Sequence, residues 1–468
     1  MRRTSCAFTR KSVIASGLCA TKTTEEGGAG EGACAKAEAM AQKKTAATFR
    51  IGKFLAVATD FMSNGANNNR AKAIVTAEAA TCSIKEAAVA AASSRLTGST
   101  PAGTIRHLYV HIPFCARICP YCAFYKDLLD RSQTERFCEG ILQEVQQCAA
   151  NFDIVPRTIF LGGGTPTALT IAQLESLLRG LQQQLDLSEL TEWTIEANPG
   201  SVSARKAALL FKFGVNRISL GVQSLDDALL KTLGRDHNAH QAEESFRLLR
   251  DAGFSNINVD LMFGLPGQTA GQWEVTLEKT IELQPQHISA YCLTYEEDTE
   301  FFLRHSRGEL RSNADLEAEF FELAMSLLEE AGYEQYEISN YTRRGYASTH
   351  NRAYWAGEDY LGIGPSAFST FGMRRWQNVP DYREYTDRVL AGRSAIKSTE
   401  ELTPEMKHIE KIALSLRTSD GIPANLVAAQ SARTDEFVRL GLLRRSNGNF
   451  ILTRAGKSLA DSIAEAFI

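Results

Sequence analysis

Residues after Arg106 alternate between two hydrophobic patterns. Short β-rich runs are followed by amphipathic stretches with Leu, Ile and Phe at three- and four-residue spacing, which indicates strands joined by helices. The predicted strands are His107–Ile112, Arg157–Leu161, Trp193–Glu196, Arg217–Gly221, Ile257–Met262 and His287–Leu293. The predicted helices between them are Glu135–Gln147, Ile171–Leu185, Ala204–Phe213, Gln241–Ala252 and Trp273–Leu283. Each is long enough for a right-handed crossover, so the pattern predicts an α/β fold with six parallel strands in an open or closed barrel.

The pattern changes after Leu293, where a helix near Ala318–Glu330 precedes polar and aromatic segments and a Gly-rich bend at Gly362–Ser366. The last seventy residues predict helices and then a hairpin that turns at Asn447–Gly448. We therefore predict a barrel (105–300), an α+β extension (301–395) and a winged-helix-like domain (396–468). Winged helices often bind DNA, but this hairpin carries only Arg444 and Arg445 in acidic surroundings, which favours a packing role.

Residues 1–104 lack a clean helix or strand period and are rich in Ala, Thr, Ser and Gly, so we predict a disordered, low-complexity tail. Its first 100 residues contain 14 Lys and Arg against 7 Asp and Glu. No acid precedes Glu25, and the opening is rich in Arg, Ser and Thr, as in organellar transit peptides. We predict import into a mitochondrion or plastid. The alternatives are a cytoplasmic protein with a disordered extension, or a start codon placed too far upstream.

The whole chain of 468 residues has a net charge of −4, without the basic excess of a nucleic-acid binder, so we expect no nucleic-acid partner. It has no run of 18 apolar residues, so no transmembrane segment is predicted. The ten cysteines are unevenly spread and do not form a disulfide framework. The close group Cys115, Cys119 and Cys122 instead indicates a metal or cluster site in a reducing compartment.

Other residues with functional side chains also cluster where predicted strands end. The cysteines follow the first strand, Gly162–Pro166 follows the second, and Glu196–Pro199 ends the third. Gln223 follows the fourth strand, and Asp260 lies in the fifth. The carboxyl ends of barrel strands meet at one face, so these positions predict a site there. Taken singly, a Gly-rich turn or a glutamate is more often structural, but their order along the strands favours a site.

The cysteine loop, His111–Phe124, places three thiols at spacings of four and three. Thiolates at this spacing can bind a compact iron–sulfur cluster, and three ligands leave one corner of a four-iron cluster open. A zinc site is the alternative, but it normally needs a fourth Cys or His.

These motifs resemble the radical SAM superfamily. The resemblance rests on the Cys-x-x-x-Cys-x-x-Cys loop together with Gly162–Thr167, Glu196–Pro199, Ser219–Ser224 and Asp260–Gly267, and it extends over residues 106–468. Within the superfamily the chain is similar to the coproporphyrinogen III dehydrogenase-like branch. The resemblance implies a partial (β/α)6 barrel, a [4Fe–4S] cluster bound by Cys115, Cys119 and Cys122, and S-adenosylmethionine (SAM) chelated to the open iron.

The resemblance also implies a set of SAM contacts and an electron-donating reductase as partner. Reductive cleavage of SAM would yield a 5′-deoxyadenosyl radical. The implied contacts are Tyr109, Tyr121, Gly163, Gly164, Thr165, Glu196, Gln223, Arg235 and Asp260. Their chemistry suits the ligand, because Glu196 can accept from an ammonium, Asp260 from a ribose hydroxyl, and Arg235 can face a carboxylate.

Two functions compete within this branch. The porphyrinogen dehydrogenases carry a further cysteine two residues after the third, where this chain has Phe124. The HemW-type haem chaperones have an aromatic residue there and a His-Asn-x-x-Tyr-Trp motif, which this chain shows as His350–Trp355. We therefore predict a protein that binds haem through His350, with Tyr354 and Trp355 packing on the macrocycle, and transfers it to haemoproteins. The alternatives are an oxygen-independent coproporphyrinogen III oxidase and, for this motif, a helix-capping His350 with Trp355 in a core.

Overall fold

The computed structural model describes residues 103–467 and joins the six predicted strands in one sheet. They are parallel and follow one another in chain order: β1 (Thr104–Ile112), β2 (Asp153–Gly163), β3 (Glu192–Ala197), β4 (Arg217–Gln223), β5 (Ile257–Phe263) and β6 (His287–Cys292). All six strand predictions are confirmed. The predicted tail, residues 1–102 and their transit segment included, lies outside the described residues.

The sheet is longer than predicted, because three strands from the extension join its edges. The hairpin of β7 (Glu334–Glu337) and β8 (Asn340–Thr342) pairs antiparallel with β6, and β9 (Leu361–Ile363) pairs parallel with β1. Gly362–Ser366 was predicted to be a bend. This prediction was wrong for Gly362 and Ile363, which belong to strand β9. A Cβ on Gly362 would lie 2.1 Å from the carbonyl oxygen of Phe368, so glycine lets the following segment approach this strand.

Helices follow the barrel strands, and they pack on the outer surface of the sheet. They are α1 (Thr134–Ala149), α2 (Ile171–Gln184), α3 (Ala204–Lys212), α4 (Asp227–Thr232), α5 (Ala239–Asp251) and α6 (Ala270–Glu282). Thr170, Asn238 and Thr269 form capping boxes that begin α2, α5 and α6. The five predicted helices are thereby confirmed, and their apolar faces form one core with the outer face of the sheet.

The inner face of the sheet is polar. In β4, Ile218, Leu220 and Val222 point to the helices and belong to the outer core. Arg217 and Ser219 alternate with them and therefore point inward. Every barrel strand contributes buried polar side chains of this kind: His107, Thr158, Glu192, Thr194, Arg217, Ser219, Asn258, His287 and Ser289. Parallel strands are usually apolar on both faces, so a polar interior indicates a cavity rather than a packed core.

The extension adds four helices and a second sheet. The helices are α7 (Glu300–Ser306), α8 (Ala314–Glu330), α9 (Thr349–Trp355) and α10 (Tyr382–Leu390). The second sheet is an antiparallel meander of β10 (Phe368–Phe371), β11 (Arg374–Asn378) and β12 (Ile396–Glu401). The residues up to Ala395 share the barrel's hydrophobic core, so the extension completes the barrel.

The C-terminal region has a hydrophobic core of its own, which includes Ile412 and Phe467. It contains α11 (Pro404–Leu416), α12 (Ser431–Arg439), α13 (Arg454–Lys457), α14 (Ala460–Ala466), and a sheet of β13 (Ile422–Pro423), β14 (Leu443–Ser446) and β15 (Asn449–Leu452). Asn447 and Gly448 both have positive φ, as a tight hairpin turn requires. One of the helices expected in the last seventy residues, over Ala424–Ser431, is instead a 3₁₀ segment, Ala424–Gln430. The division of the chain into domains stays a prediction.

No helix within residues 103–467 has the length and apolarity needed to cross a bilayer. This agrees with the hydropathy of the sequence over the same residues.

A buried carboxylate, Glu144 on α1, connects the barrel to the extension. It accepts hydrogen bonds from the Tyr385 hydroxyl (2.6 Å), the Gly364 amide (2.8 Å) and the Asn378 side-chain amide (2.7 Å). Burial raises the pKa of Glu144 to about 7, and these three bonds oppose the rise. Glu144 on α1 therefore links this helix to α10, to β11 and to the residues that follow β9.

We expect Glu144→Ala to lower the free energy of unfolding by on the order of 3 kcal/mol, because three buried donors lose their acceptor. Glu139→Ala, an exposed position on the same helix, is the matched control and should change it by less than about 0.5 kcal/mol. Urea unfolding followed by circular dichroism measures both. Equal effects of the two variants would contradict this role of Glu144.

Candidate functional site

One cavity inside the barrel brings together the residues predicted to bind the cluster, SAM and the haem iron, but not Tyr354 and Trp355. The thirteen residues come from β1 to β5, the loops that follow them, and α9, and all of them line it: Tyr109, Cys115, Cys119, Tyr121, Cys122, Gly163, Gly164, Thr165, Glu196, Gln223, Arg235, Asp260 and His350. The ligand roles of these residues stay predictions, but their convergence on one space is a property of the fold.

The cysteine loop lies at the carboxyl end of β1. The Sγ of Cys115 is 3.6 Å from the Thr165 hydroxyl, and the Sγ of Cys119 is 3.7 Å from a guanidinium nitrogen of Arg235. Burial raises the pKa of the Cys115 thiol to about 12 and also raises that of Cys122. Burial therefore keeps the Cys115 and Cys122 thiols neutral, and binding of iron must release their protons.

The three thiols line one cavity and do not converge on a single ion-sized position. Within residues 103–467 no three His, Cys, Asp or Glu side chains gather around a single ion-sized position. A four-iron cluster binds each thiolate to a different iron, so its ligands need not converge on one position. Three thiols lining one cavity fit such a cluster.

Gly163 and Gly164 allow the turn after β2 to lie directly against the end of β1. Gly163 has a φ of +107°, and a Cβ on it would lie 2.4 Å from the His111 ring. A Cβ on Gly164 would lie 2.6 Å from the Pro113 carbonyl carbon, next to the cysteine loop. Side chains at these positions would displace the loop. The glycines are therefore needed for packing, in addition to any backbone contact with a ligand.

Two carboxylates that line the cavity, Glu196 and Asp260, lie close enough for their charges to interact. Glu196 accepts from the Gly163 amide (3.0 Å), while Asp260 accepts from the Ser219 hydroxyl (3.0 Å) and the Asn258 amide (2.7 Å). Burial raises the pKa of Glu196 to about 8, and the charge of Asp260 adds to the rise. Burial also raises the pKa of Asp260, against the effect of its hydrogen bonds. A cationic ligand group between them would relieve this repulsion.

Arg235 and Gln223 complete the wall near the cysteines. Arg235 donates to the Asn198 side-chain oxygen (2.8 Å) and to the Gly221 carbonyl (2.7 Å), while its buried Nε has no hydrogen-bond partner among residues 103–467. Gln223 has a φ of +68°, a strained conformation that places its backbone at the end of β4. Buried donors without partners and strained backbone are typical of ligand sites.

His350 lines the cavity near the N-terminal ends of the strands, on the side opposite the cysteine loop. It lies in the first turn of α9, whose start is bound by the Glu192 carboxylate: the amides of Thr349 (2.7 Å) and His350 (3.1 Å) and the Ser348 hydroxyl (3.1 Å) all donate to it. This interaction joins the extension to β3. A buried anion at a helix N-terminus is favourable, since it satisfies amides that have no partner within the helix.

A chain of hydrogen bonds connects the His350 ring to the protein surface. Nδ1 of His350 is 2.8 Å from the Thr158 hydroxyl, which is 2.9 Å from Nδ1 of His107. Nε2 of His107 is 3.0 Å from the carboxylate of Glu358, whose side chain is 54% exposed.

The direction of this chain follows from its exposed end. The Glu358 carboxylate can only accept, so His107 donates through Nε2. Burial lowers the pKa of His107, and the neutral ring must then accept at Nδ1 from Thr158. The Thr158 hydroxyl has one proton, which it donates to His107, so its oxygen accepts a hydrogen bond from Nδ1 of His350. The chain therefore leaves Nε2 of His350 with a free lone pair, and that nitrogen has no hydrogen-bond partner among the described residues.

Tyr354 and Trp355, the aromatic residues of the same motif, do not line the cavity beside His350. Trp355 is 2% exposed, packs on Leu414 and lies 5.5 Å from the Arg417 guanidinium. Five residues of helix turn the side chain by about 140°, so Trp355 points away from His350. Tyr354 contacts Tyr360 with ring centroids 5.7 Å apart. The expectation that Trp355 packs on a ligand next to His350 does not match this arrangement, in which Phe160 is the ring beside His350, at 5.2 Å.

Sequence reasoning missed several cavity residues, including Arg217, Asn258, Ser289 and Asn351. The first three share one signal: each is a polar residue at an inward position of a predicted strand. Following the two-residue period from Ser219 back to Arg217, or from Asp260 back to Asn258, would have found them.

We expect the stability of the protein to fall as the pH drops below about 6.5, in part because of His350. Burial lowers its pKa to about 3, with smaller effects from His107 and Arg217, whereas an unfolded histidine has a pKa of about 6.5. Between these values only the unfolded state binds the proton, so His350 contributes a slope of up to about 1.4 kcal/mol per pH unit.

Urea titrations at pH 7.5, 6.5 and 5.5 measure this slope. His350→Gln should make it shallower, and His240→Gln, at an exposed position, should leave it unchanged. A slope that does not differ between wild type and His350→Gln would show that His350 is protonated in the folded protein.

Comparisons with known proteins place the chain in a family. Residues 109–280 match the model of the radical SAM superfamily. The chain is 36% identical to the heme chaperone HemW of Bacillus subtilis over 376 residues, which cover 78% of this chain and 99% of that protein. It is 34% identical to HemW of Escherichia coli over 379 residues, covering 77% and 97%.

A relative from mouse, the mitochondrial radical S-adenosyl methionine domain-containing protein 1, is 38% identical over 273 residues, or 58% of this chain and 62% of that protein. The solved structure of coproporphyrinogen III oxidase (HemN) from Escherichia coli has the same fold, with a TM-score of 0.68 and 23% identity over 78% of this chain and 90% of that one. On the identity and coverage of these relatives, the chain belongs to the HemW family of the radical SAM superfamily.

Proposed function

We propose that this protein binds a [4Fe–4S] cluster, SAM and haem, and that it transfers haem to haemoproteins. The observation that carries the proposal is the position of His350, whose ring lines the same cavity as the three thiols and keeps a free lone pair on Nε2. Support also comes from the HemW relatives, which match this chain over nearly their whole length.

Cys115, Cys119 and Cys122 would hold the cluster. All three thiols come from one loop, and Cys292, at the end of β6, also lines the cavity. When bound, the cluster would supply an electron and an open iron position for a chelating ligand. The unpartnered Nε of Arg235 next to Cys119 is a donor available to the carboxylate of that ligand.

SAM would occupy the part of the cavity nearest the thiols. Glu196 and Asp260, whose carboxylates repel each other, would bind its ammonium and its ribose hydroxyl. The remaining contacts would be Tyr109, Tyr121, Gly163, Gly164, Thr165, Gln223 and Arg235.

Haem would be bound at its iron by Nε2 of His350. A neutral imidazole is the form that ligates iron, and His350 is neutral because burial lowers its pKa to about 3. Thr158 would hold the ring in the required tautomer, as the second hydrogen-bonding partner of a metal-bound histidine usually does. The partners of such a protein would be haem-accepting proteins and an electron-donating reductase.

We further propose that the protein works in a mitochondrion or plastid. The basic, acid-poor opening of the chain supports this, and the name of the mouse relative contains the word mitochondrial. A cytoplasmic location is the alternative.

Anaerobically purified protein should contain about four iron atoms per chain, because three thiolates and one open corner describe a four-iron cluster. Cys119→Ser should abolish this iron, whereas Cys138→Ser, at a buried position on α1 away from the cavity, should retain it. Iron and zinc are measured by atomic emission. Zinc in place of iron in the wild type would contradict the proposal.

His350→Ala should weaken haem binding at least tenfold and shift the Soret band, because the axial nitrogen is lost, while the iron–sulfur absorption stays intact. His240→Ala, at an exposed position on α5, is the matched control and should bind haem like the wild type. Haem titration under anaerobic conditions measures both variants. Unchanged binding in His350→Ala would exclude His350 as the ligand.

The competing function is porphyrinogen oxidation. Phe124 lines the cavity where the dehydrogenases have their additional cysteine, so we expect no conversion of coproporphyrinogen III with SAM and a reductant. Multiple turnovers per cluster, together with unchanged haem binding in His350→Ala, would replace the proposed function by this enzyme activity.

A further inference from the structure

Arg217 is a buried cation inside the barrel. It is the first residue of β4, its exposed fraction is 1%, and it lines the cavity together with Ser219 and Gly221 of the same strand. The side chain therefore points away from the outer core, which takes Ile218 and Leu220.

The buried Nε of Arg217 has no hydrogen-bond partner among residues 103–467. Arg217 also forms no ion pair with a carboxylate among these residues. An unpaired buried charge is strongly destabilising, and buried arginines are normally paired. Such an arrangement is expected where a ligand supplies the missing anion.

The surrounding carboxylates are engaged elsewhere. Glu192 is occupied by the start of α9, Glu196 by the Gly163 amide, and Asp260 by Ser219 and Asn258. Arg217 lies close enough to lower the pKa of Glu196 and Asp260 through its charge. The hydrogen bonds of these two carboxylates go to other residues, and Arg217 lines the cavity.

A second uncommitted donor lies near it. Asn351, on α9 next to His350, lines the same cavity, and its side-chain amide has no hydrogen-bond partner among the described residues. Arg217, Asn351 and His350 thus form a group at the N-terminal side of the cavity. This group is separate from the residues near the thiols, where Arg235 is available for the carboxylate of SAM.

We propose that Arg217, assisted by Asn351, binds a carboxylate of the cavity's ligand. A guanidinium presents two parallel N–H groups that match a carboxylate, and the pair is strong when buried. Resting on the proposed function, we assign this carboxylate to a propionate of the haem whose iron is bound by His350. The other source of the same chemistry is the carboxylate of SAM.

Four ligands separate these sources: haem, haem dimethyl ester, SAM and decarboxylated SAM. The proteins are the anaerobically reconstituted wild type, Arg217→Gln, and Arg205→Gln as the matched control at an exposed position on α3. We expect wild type and Arg205→Gln to bind haem more tightly than its ester. Arg217→Gln should lose roughly tenfold to hundredfold in haem affinity and bind the ester unchanged.

Arg217→Lys keeps the charge and should retain part of the preference for haem over the ester, which distinguishes loss of the carboxylate contact from loss of the fold. A loss in Arg217→Gln for SAM, but not for decarboxylated SAM or haem, would support the carboxylate site and assign it to SAM. Equal losses for haem and its ester, or no loss for any ligand, would overturn the inference. Absence of haem binding in the wild type would instead refute the proposed function, and the SAM arm would still test Arg217.

Discussion

The need of every buried polar group for a partner is the constraint on which this structure depends. The inner face of the sheet carries histidines, carboxylates and an arginine, and in a low-dielectric interior each of them is costly unless hydrogen bonded. Most are satisfied by partners on neighbouring strands, as Asn258 is by Ser219, Asp260 and His287. Among the buried side-chain atoms without a partner in residues 103–467, the Nε atoms of Arg217 and Arg235 belong to residues that line the cavity, where a ligand could pair with them.

The same constraint ties the extension to the barrel. Glu192 of β3 needs donors and the start of α9 needs an acceptor, and each satisfies the other. This contact between Glu192 and α9 places the His350 ring within hydrogen-bond distance of Thr158, at the N-terminal side of the cavity. The tautomer of His350 then depends on Glu358, an exposed residue, through three hydrogen bonds that run by way of His107 and Thr158. The chemistry of the cavity is thus set partly from the surface of the protein.

The cavity has two sides with different chemistry. The side at the carboxyl ends of the strands has thiols, the paired carboxylates and Arg235, and its shape depends on the close approach of Gly163 and Gly164 to the end of β1. The opposite side has the imidazole of His350 and the guanidinium of Arg217. A cavity that contains both cationic and metal-ligating groups is suited to a ligand that carries both a metal and carboxylates.

The sequence alone determined the strand and helix order, the cysteine loop and the placement of site residues at strand ends. These features are encoded locally, in the two- and 3.6-residue hydrophobic periods and in short motifs such as Gly162–Pro166. Local pattern also predicted the C-terminal hairpin, because Asn447–Gly448 by itself favours the turn.

Only the tertiary structure decided that β9 joins the sheet beside β1, that His350 faces the cavity while Trp355 faces a core, and that the Nε of Arg217 has no partner among the described residues. Each of these depends on contacts between residues far apart in the chain: Leu361 with Leu108, His350 with Thr158, and Trp355 with Leu414. No periodicity or spacing records such contacts, since pairing over long separations is selected by the packing of the whole fold.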